Sequence, residues 1–197
     1  MGVNSVKSIM FVGVGGQGTL LASRIIGNVL MSQNFDVKVS EIHGMSQRGG
    51  SVVTYVKYGD KVHSPIVEKG EADFIVAFEE LEAFRYFSYL KNDGEIIVST
   101  GRIDPMPVII GKEKYPDDII AKMKSAGAKV NEVAAHCLAL EAGSSKTINT
   151  VLIGVLAKKS GIDKQIWLTA IAETVAEKFL KMNIDAFELG YSEGELV

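Results

Sequence analysis

Apolar residues change their spacing along this chain, and each change marks an element. KSIMFVGV (7–14) is a short, almost unbroken apolar run, as in a strand buried on both faces. TLLASRIIGNVLMSQ (19–33) then places Leu20, Leu21, Ile25, Val29 and Leu30 at helical spacing. DVKVSEI (36–42) alternates and is rich in β-branched residues, which predicts a second strand. SVVTYVKYGDKVHSP (51–65) alternates again with a turn at Gly59-Asp60, so it reads as one strand and a short return strand.

ADFIVAF (72–78) is another buried strand, and EELEAFRYFSYL (79–90) a helix ending near the turn residues Asn92-Asp93-Gly94. GEIIVST (94–100) is a further strand. PVIIG (107–111) suits an edge strand, since Pro105 and Pro107 cannot donate ladder hydrogen bonds. PDDIIAKMKSAG (116–127) has proline near its start and glycine past its end, the asymmetry of a helix. KVNEVAA (129–135) closes the series of strands, and helices are predicted at 136–142, 147–160, 163–180 and 184–190. Gly161 ends one of these and Asp163 caps the next. The fold class is α/β: Rossmann-like, mostly parallel, with a small antiparallel insertion after strand 2 and a helical C-terminal third. No repeat or linker interrupts it, so the chain reads as one domain, with an α/β core over 1–135 and a helical extension over 136–197. The apolar runs VLIGVL (151–156) and IWLTAIAETVAEKFL (166–180) suit either core or a subunit interface.

Two glycine-rich loops carry the candidate chemistry. GVGGQG places Gly13, Gly15 and Gly18 in the pattern GxGxxG between a strand and a helix. There glycine serves the tight turn, close approach to a ligand and close helix packing. Gly16 and Gln17 complete the run. The helix start offers unpaired N–H groups and partial positive charge. The same glycines also suit contact with a partner subunit, or a turn that binds nothing. HGMSQRGG (43–50) offers His43, Ser46, Gln47, Arg48, Gly49 and Gly50. Arg48 is a planar fork for carboxylate or phosphate, or a structural partner of Glu41 or Glu79. Both loops follow strands and are expected to share one rim of the sheet. Glu41 stands where a dinucleotide ribose would need an acid, but the polar loop after it crowds that place.

Composition narrows the function. The 197 residues carry a net charge of −3, which argues against a generic nucleic-acid binder. No apolar run is long enough for a membrane span, and the N-terminus lacks the pattern of a signal peptide. The one cysteine, Cys137, cannot hold an iron–sulfur cluster and reads as a small buried hydrophobe in a reducing, cytoplasmic setting. His63 and His136 lack metal-ligand spacing. No nucleophile–base–orienter arrangement is legible. No catalytic residue and no metal ligand is assigned.

The runs FVGVGGQGTLLASRIIG and VSEIHGMSQRGGSVVTYVKYGDKVHSPIVEKGEADFIVAFEELEA resemble the gamma-type subunit or domain of 2-oxoacid:ferredoxin oxidoreductases. The likeness covers essentially the whole chain, as a single pyruvate/ketoisovalerate oxidoreductase gamma-type domain, and is strongest over 9–85. It is most similar to the beta subunit of the indolepyruvate-type enzymes. The loop HGMSQRGG, where related families carry proline and an acid, favours that arylpyruvate branch. The resemblance implies an accessory subunit inactive alone. The large alpha partner would carry thiamine diphosphate, Mg2+ and [4Fe–4S] clusters. Together they would convert a 2-oxoacid and coenzyme A to acyl-coenzyme A, with electrons passing to ferredoxin. The alternative is an independent dinucleotide- or coenzyme A-binding Rossmann-like protein.

Overall fold

A computed structural model describes residues 6–44 and 49–195. Six strands form one sheet: β1 (Lys7–Val14), β2 (Asp36–His43), β3 (Ser51–Gly59), β4 (Ala72–Ala77), β5 (Leu90–Ser99) and β6 (Lys129–Val133), in the order β2-β3-β1-β4-β5-β6. β1, β4, β5 and β6 run parallel. β3 runs antiparallel to both β1 and β2. The antiparallel insertion is therefore a strand lodged between the first two, which stand one strand further apart than a plain βαβ unit would place them.

Helices cover both faces. On one lie α1 (Thr19–Ser32), α6 (Ile148–Ser160), α7 (Lys164–Thr174) and α8 (Glu177–Glu193). Ile9 and Phe11 of β1, Ile25 and Leu30 of α1, Leu152 and Leu156 of α6, Trp167 and Phe187 belong to one buried apolar cluster. Burying each large side chain of this kind is worth about 1.5–3 kcal/mol. The helical third is thus a layer of the same core, and VLIGVL is buried within the chain itself. α6 packs on α8 at Gly154 and Gly190: a Cβ on Gly154 would overlap the Phe187 carbonyl oxygen, and one on Gly190 the Val151 carbonyl oxygen. The opposite face is covered by α2 (Glu80–Tyr86) and α4 (Ile119–Ser125), with Met123 of α4 in one buried cluster with Met10, Val12, Ile75 and Ile96. Two short helices, α3 (Met106–Ile109) and α5 (Ala135–Glu141), complete the set. Among the described residues no helix is long and apolar enough to cross a membrane.

Several predicted elements differ. No return strand follows Gly59; the segment is held instead by Val62 N–H donating to Asp36 Oδ2 (2.8 Å) and Lys57 Nζ donating to the Ile66 carbonyl (2.9 Å). The segment expected as a strand over 107–111 instead holds most of α3, because Pro105 caps it and Pro107 lies in its first turn, where no N–H is needed. The Asn92-Asp93-Gly94 segment is not a turn. It lies within β5 at a register shift, where a Cβ on Gly94 would come 2.8 Å from the Ala72 carbonyl oxygen. The helix predicted over 163–180 breaks at Val175 and Ala176, whose ψ values of 134° and 140° are extended, and α8 then runs unbroken to Glu193. Gly161 and Asp163 behave as read: Gly161 ends α6 at φ 72°, and the Asp163 side chain accepts from Gln165 N–H at 2.8 Å.

Candidate functional site

β1 ends at Val14, and the chain reverses at once: the Val14 carbonyl accepts from Gln17 N–H at 3.2 Å. The Gln17 side chain folds back over the strand end. Its Oε1 accepts from Val14 N–H at 2.7 Å, and its Nε2 donates to the Phe78 carbonyl at 3.0 Å. Phe78 N–H donates in turn to the Val12 carbonyl at 2.9 Å. Gln17 therefore ties the ends of β1 and β4 together. Gly13 leaves room for this, since a Cβ there would lie 2.8 Å from Gln17 Oε1 and 3.0 Å from Phe78 Cβ. Gly13 serves close packing; Gly16 (φ 104°) and Gly18 (φ 87°) make the turn itself, in a region that glycine enters at little cost. Gly18 was expected to let α1 approach a strand. It lies instead against Asn149 of α6, whose Nδ2 would be 2.8 Å from a Cβ there.

The second loop meets the first. Gly15 N–H donates to the Gly50 carbonyl at 2.8 Å, and Gly49 N–H to the Gly15 carbonyl at 3.5 Å. The sheet dictates this contact: Val14 pairs with Ser51 across β1 and β3, and His43 with Val52 across β2 and β3. The ends of β1 and β2 thus share the expected rim, with the start of β3 between them. His43, Gly49 and Gly50 are brought to the rim with Gly13 to Gly18. Ser46, Gln47 and Arg48 lie outside the described residues.

A groove of about 390 Å³ opens along this rim. One wall is Gly15, Gly16, Gly18 and Thr19 at the start of α1; Glu41 and His43 form the other. The glycine wall offers backbone and little else. The first turn of α1 leaves N–H groups without helical carbonyls, and its dipole favours an anion. Glu41 Oε2 accepts from Thr54 Oγ1 at 3.2 Å, and His43 Nδ1 lies 3.1 Å from the Gly44 carbonyl oxygen.

Beyond Gly49 and Ser51 lies a buried acidic support that the sequence did not announce. Ser51 Oγ donates to Glu82 Oε2 at 2.5 Å, and Arg85 Nε lies 3.2 Å from Glu82 Oε1. Burial raises the Glu82 carboxyl above its usual range, opposed by the Ser51 hydrogen bond and the Arg85 charge. Glu79, 1% exposed, accepts from Tyr115 O–H (2.5 Å), Glu82 N–H (3.0 Å) and Ile103 N–H (3.2 Å). Tyr115 Oη also accepts from Leu81 N–H at 3.1 Å, and Arg102 stacks 4.1 Å over its ring. Burial, then Glu79, pushes the Tyr115 hydroxyl well above the ordinary tyrosine range. These carboxylates already serve structural donors. Their signal is long-range: Glu79 and Tyr115 stand 36 residues apart.

Among the described residues no three His, Cys, Asp or Glu side chains converge as a metal site. Cys137 is exposed on α5, not buried as read. As the chain's only cysteine, it leaves the donor set of an iron–sulfur cluster incomplete.

Known proteins share this chain's sequence and fold. Residues 8–193 match the pyruvate ferredoxin/flavodoxin oxidoreductase family. The chain is 40% identical over 189 residues to the indolepyruvate oxidoreductase subunit IorB of Thermococcus kodakarensis, covering 93% of each. Its fold is similar to the gamma subunit of a keto/oxoacid ferredoxin oxidoreductase from Geobacter sulfurreducens, with a TM-score of 0.73, 21% identity, and 97% and 99% of the two chains covered. It also resembles part of a 2-oxoglutarate:ferredoxin oxidoreductase from Magnetococcus marinus, solved with 2-oxoglutarate, coenzyme A and succinyl-CoA bound. There the TM-score is 0.76 at 16% identity, over 99% of this chain and 32% of that one.

Proposed function

Since this chain belongs to the pyruvate ferredoxin/flavodoxin oxidoreductase family, we propose that it is the accessory subunit of an arylpyruvate:ferredoxin oxidoreductase of the indolepyruvate type. The 40% identity to a subunit of that name over nearly the full length supports the branch. The large partner subunit would hold thiamine diphosphate with Mg2+, which supplies the decarboxylation chemistry, and the [4Fe–4S] clusters that pass electrons to ferredoxin. This chain, with one cysteine, would contribute neither. Its own part lies in the groove.

The observation that carries this reading is the pairing of Gly15 with Gly49 and Gly50. It sets the glycine run of the first loop against the end of the second, beside the groove. Coenzyme A carries phosphates, which backbone amides at a helix start accommodate, and Arg48 would add a fixed cation. The bound coenzyme A of the Magnetococcus marinus enzyme is consistent with this role. Gln17, by contrast, is read as holding the loop in shape, because both ends of its amide already bond within the chain.

Reconstitution tests the proposal. The chain alone is expected to be colourless and inactive. Added to its large partner, it should support arylpyruvate- and coenzyme A-dependent reduction of a viologen dye. Full activity of the partner without it would refute the assignment. An independent dinucleotide enzyme is disfavoured by the sheet order: β3 separates β1 from β2, so Glu41 stands two strand spacings, roughly 9–10 Å, from β1. Absence of a thermal shift with millimolar NAD, NADP or FAD is the expected result.

A further inference from the structure

Gly18 is both the N-cap of α1 and part of the groove wall. Its carbonyl accepts from Ala22 N–H at 3.2 Å, the first bond of the helix, and from Asn149 Nδ2 at 3.3 Å. Asn149 lies in the first turn of α6 and is 2% exposed. A buried amide left without partners is costly, and here each partner is defined. Asn149 Oδ1 accepts from Thr150 N–H at 2.9 Å. Thr150 Oγ1 lies 2.7 Å from Asn183 Oδ1 and 3.4 Å from Asn149 Oδ1; its single proton goes to the nearer oxygen, on α8. Asn183 Nδ2 donates to the Phe179 carbonyl at 2.9 Å. A line of buried polar groups thus runs from α8 through α6 to the glycine loop.

We infer that Asn149 is a positioning residue for the groove. The Gly18 carbonyl and the Thr19 N–H share one planar trans peptide and point in opposite directions. Holding the carbonyl therefore aims the amide. Thr19 lines the groove, so an asparagine on α6 sets the direction of a donor that the ligand would meet. The close approach of Gly18 to Asn149 fits this: any side chain at position 18 would displace the amide.

The inference rests on the functional reading above, and the test separates the two. In the complex with the large partner, Asn149→Ala is expected to raise KM for coenzyme A about three- to tenfold, the loss of one hydrogen bond's worth of alignment. kcat should stay within about twofold. Thr150→Val cuts the same line one step further in. It should lower the melting temperature while leaving KM within about twofold of wild type. Asn149→Ser, too short to reach Gly18, should repeat the KM shift should the alanine variant fail to assemble. Unchanged KM in both Asn149 variants, or an equal rise in Thr150→Val, overturns the positioning role. Amide exchange over residues 15–19 of the full chain provides a readout independent of any ligand: it should quicken in the Asn149 variants and not in Thr150→Val. Unchanged exchange overturns the inference alone. A partner whose kinetics ignore the wild-type chain overturns only the functional reading.

Discussion

Gln17 shows what a short pattern can and cannot say. GxGxxG marks a strand-to-helix turn, and the turn is there. What Gln17 does within it depends on the Phe78 carbonyl, 61 residues away, and on Gly13 leaving space for the amide. Neither is written locally, so sequence alone groups Gln17 with ligand-binding residues. Asn149 is harder still: it lies 131 residues from Gly18, in a helix with no motif. The glycine positions were legible because their conformations are; inward-facing polar partners were not. Gly13→Ala forces a Cβ against Gln17 and Phe78 and should destabilise the chain by about 1–3 kcal/mol, read as a lower melting temperature. Tyr115→Phe removes a donor from buried Glu79 and an acceptor from Leu81 N–H. A loss of about 1–3 kcal/mol is expected, measured by urea denaturation, with subunit assembly retained.

Among the elements, periodicity identified all six strands of the sheet, because alternation and short apolar runs reflect burial on one or two faces. It could not give their order. A period of two is the same whether a strand pairs parallel or antiparallel, so the place of β3 between β1 and β2 was invisible. The break before α8 was equally hidden: Val175 and Ala176 are residues a helix would accept, yet both have extended backbone. The crossing of α6 and α8 supplies a sharp test. Gly154 faces the backbone of α8, and backbone cannot rotate out of the way as a side chain would. Gly154→Ala is expected to cost about 3 kcal/mol, at the upper end for an overpacked core. A melting curve within a degree of wild type would mean that the helices can separate freely.

The whole molecule should carry a pH signature from its buried support. The Glu82 carboxyl is raised above the ordinary glutamate range, chiefly by burial. The folded chain therefore holds this proton more tightly than the unfolded chain. Its contribution to stability is full below the unfolded value and is lost as pH rises through the folded one. Glu82→Gln should remove that slope. The stability of the variant relative to wild type should rise as pH increases above the unfolded glutamate value of about 4.3, checked by paired melting curves. A constant difference above that value would mean that burial does not govern the group.

His43 is pinned opposite Val52, and Val14 opposite Ser51. The register of the sheet is therefore set by paired strand residues on either side of the loop between β2 and β3. Exchanging side chains at positions 45–48 is accordingly expected to change what the rim admits while the frame beneath stays as it was.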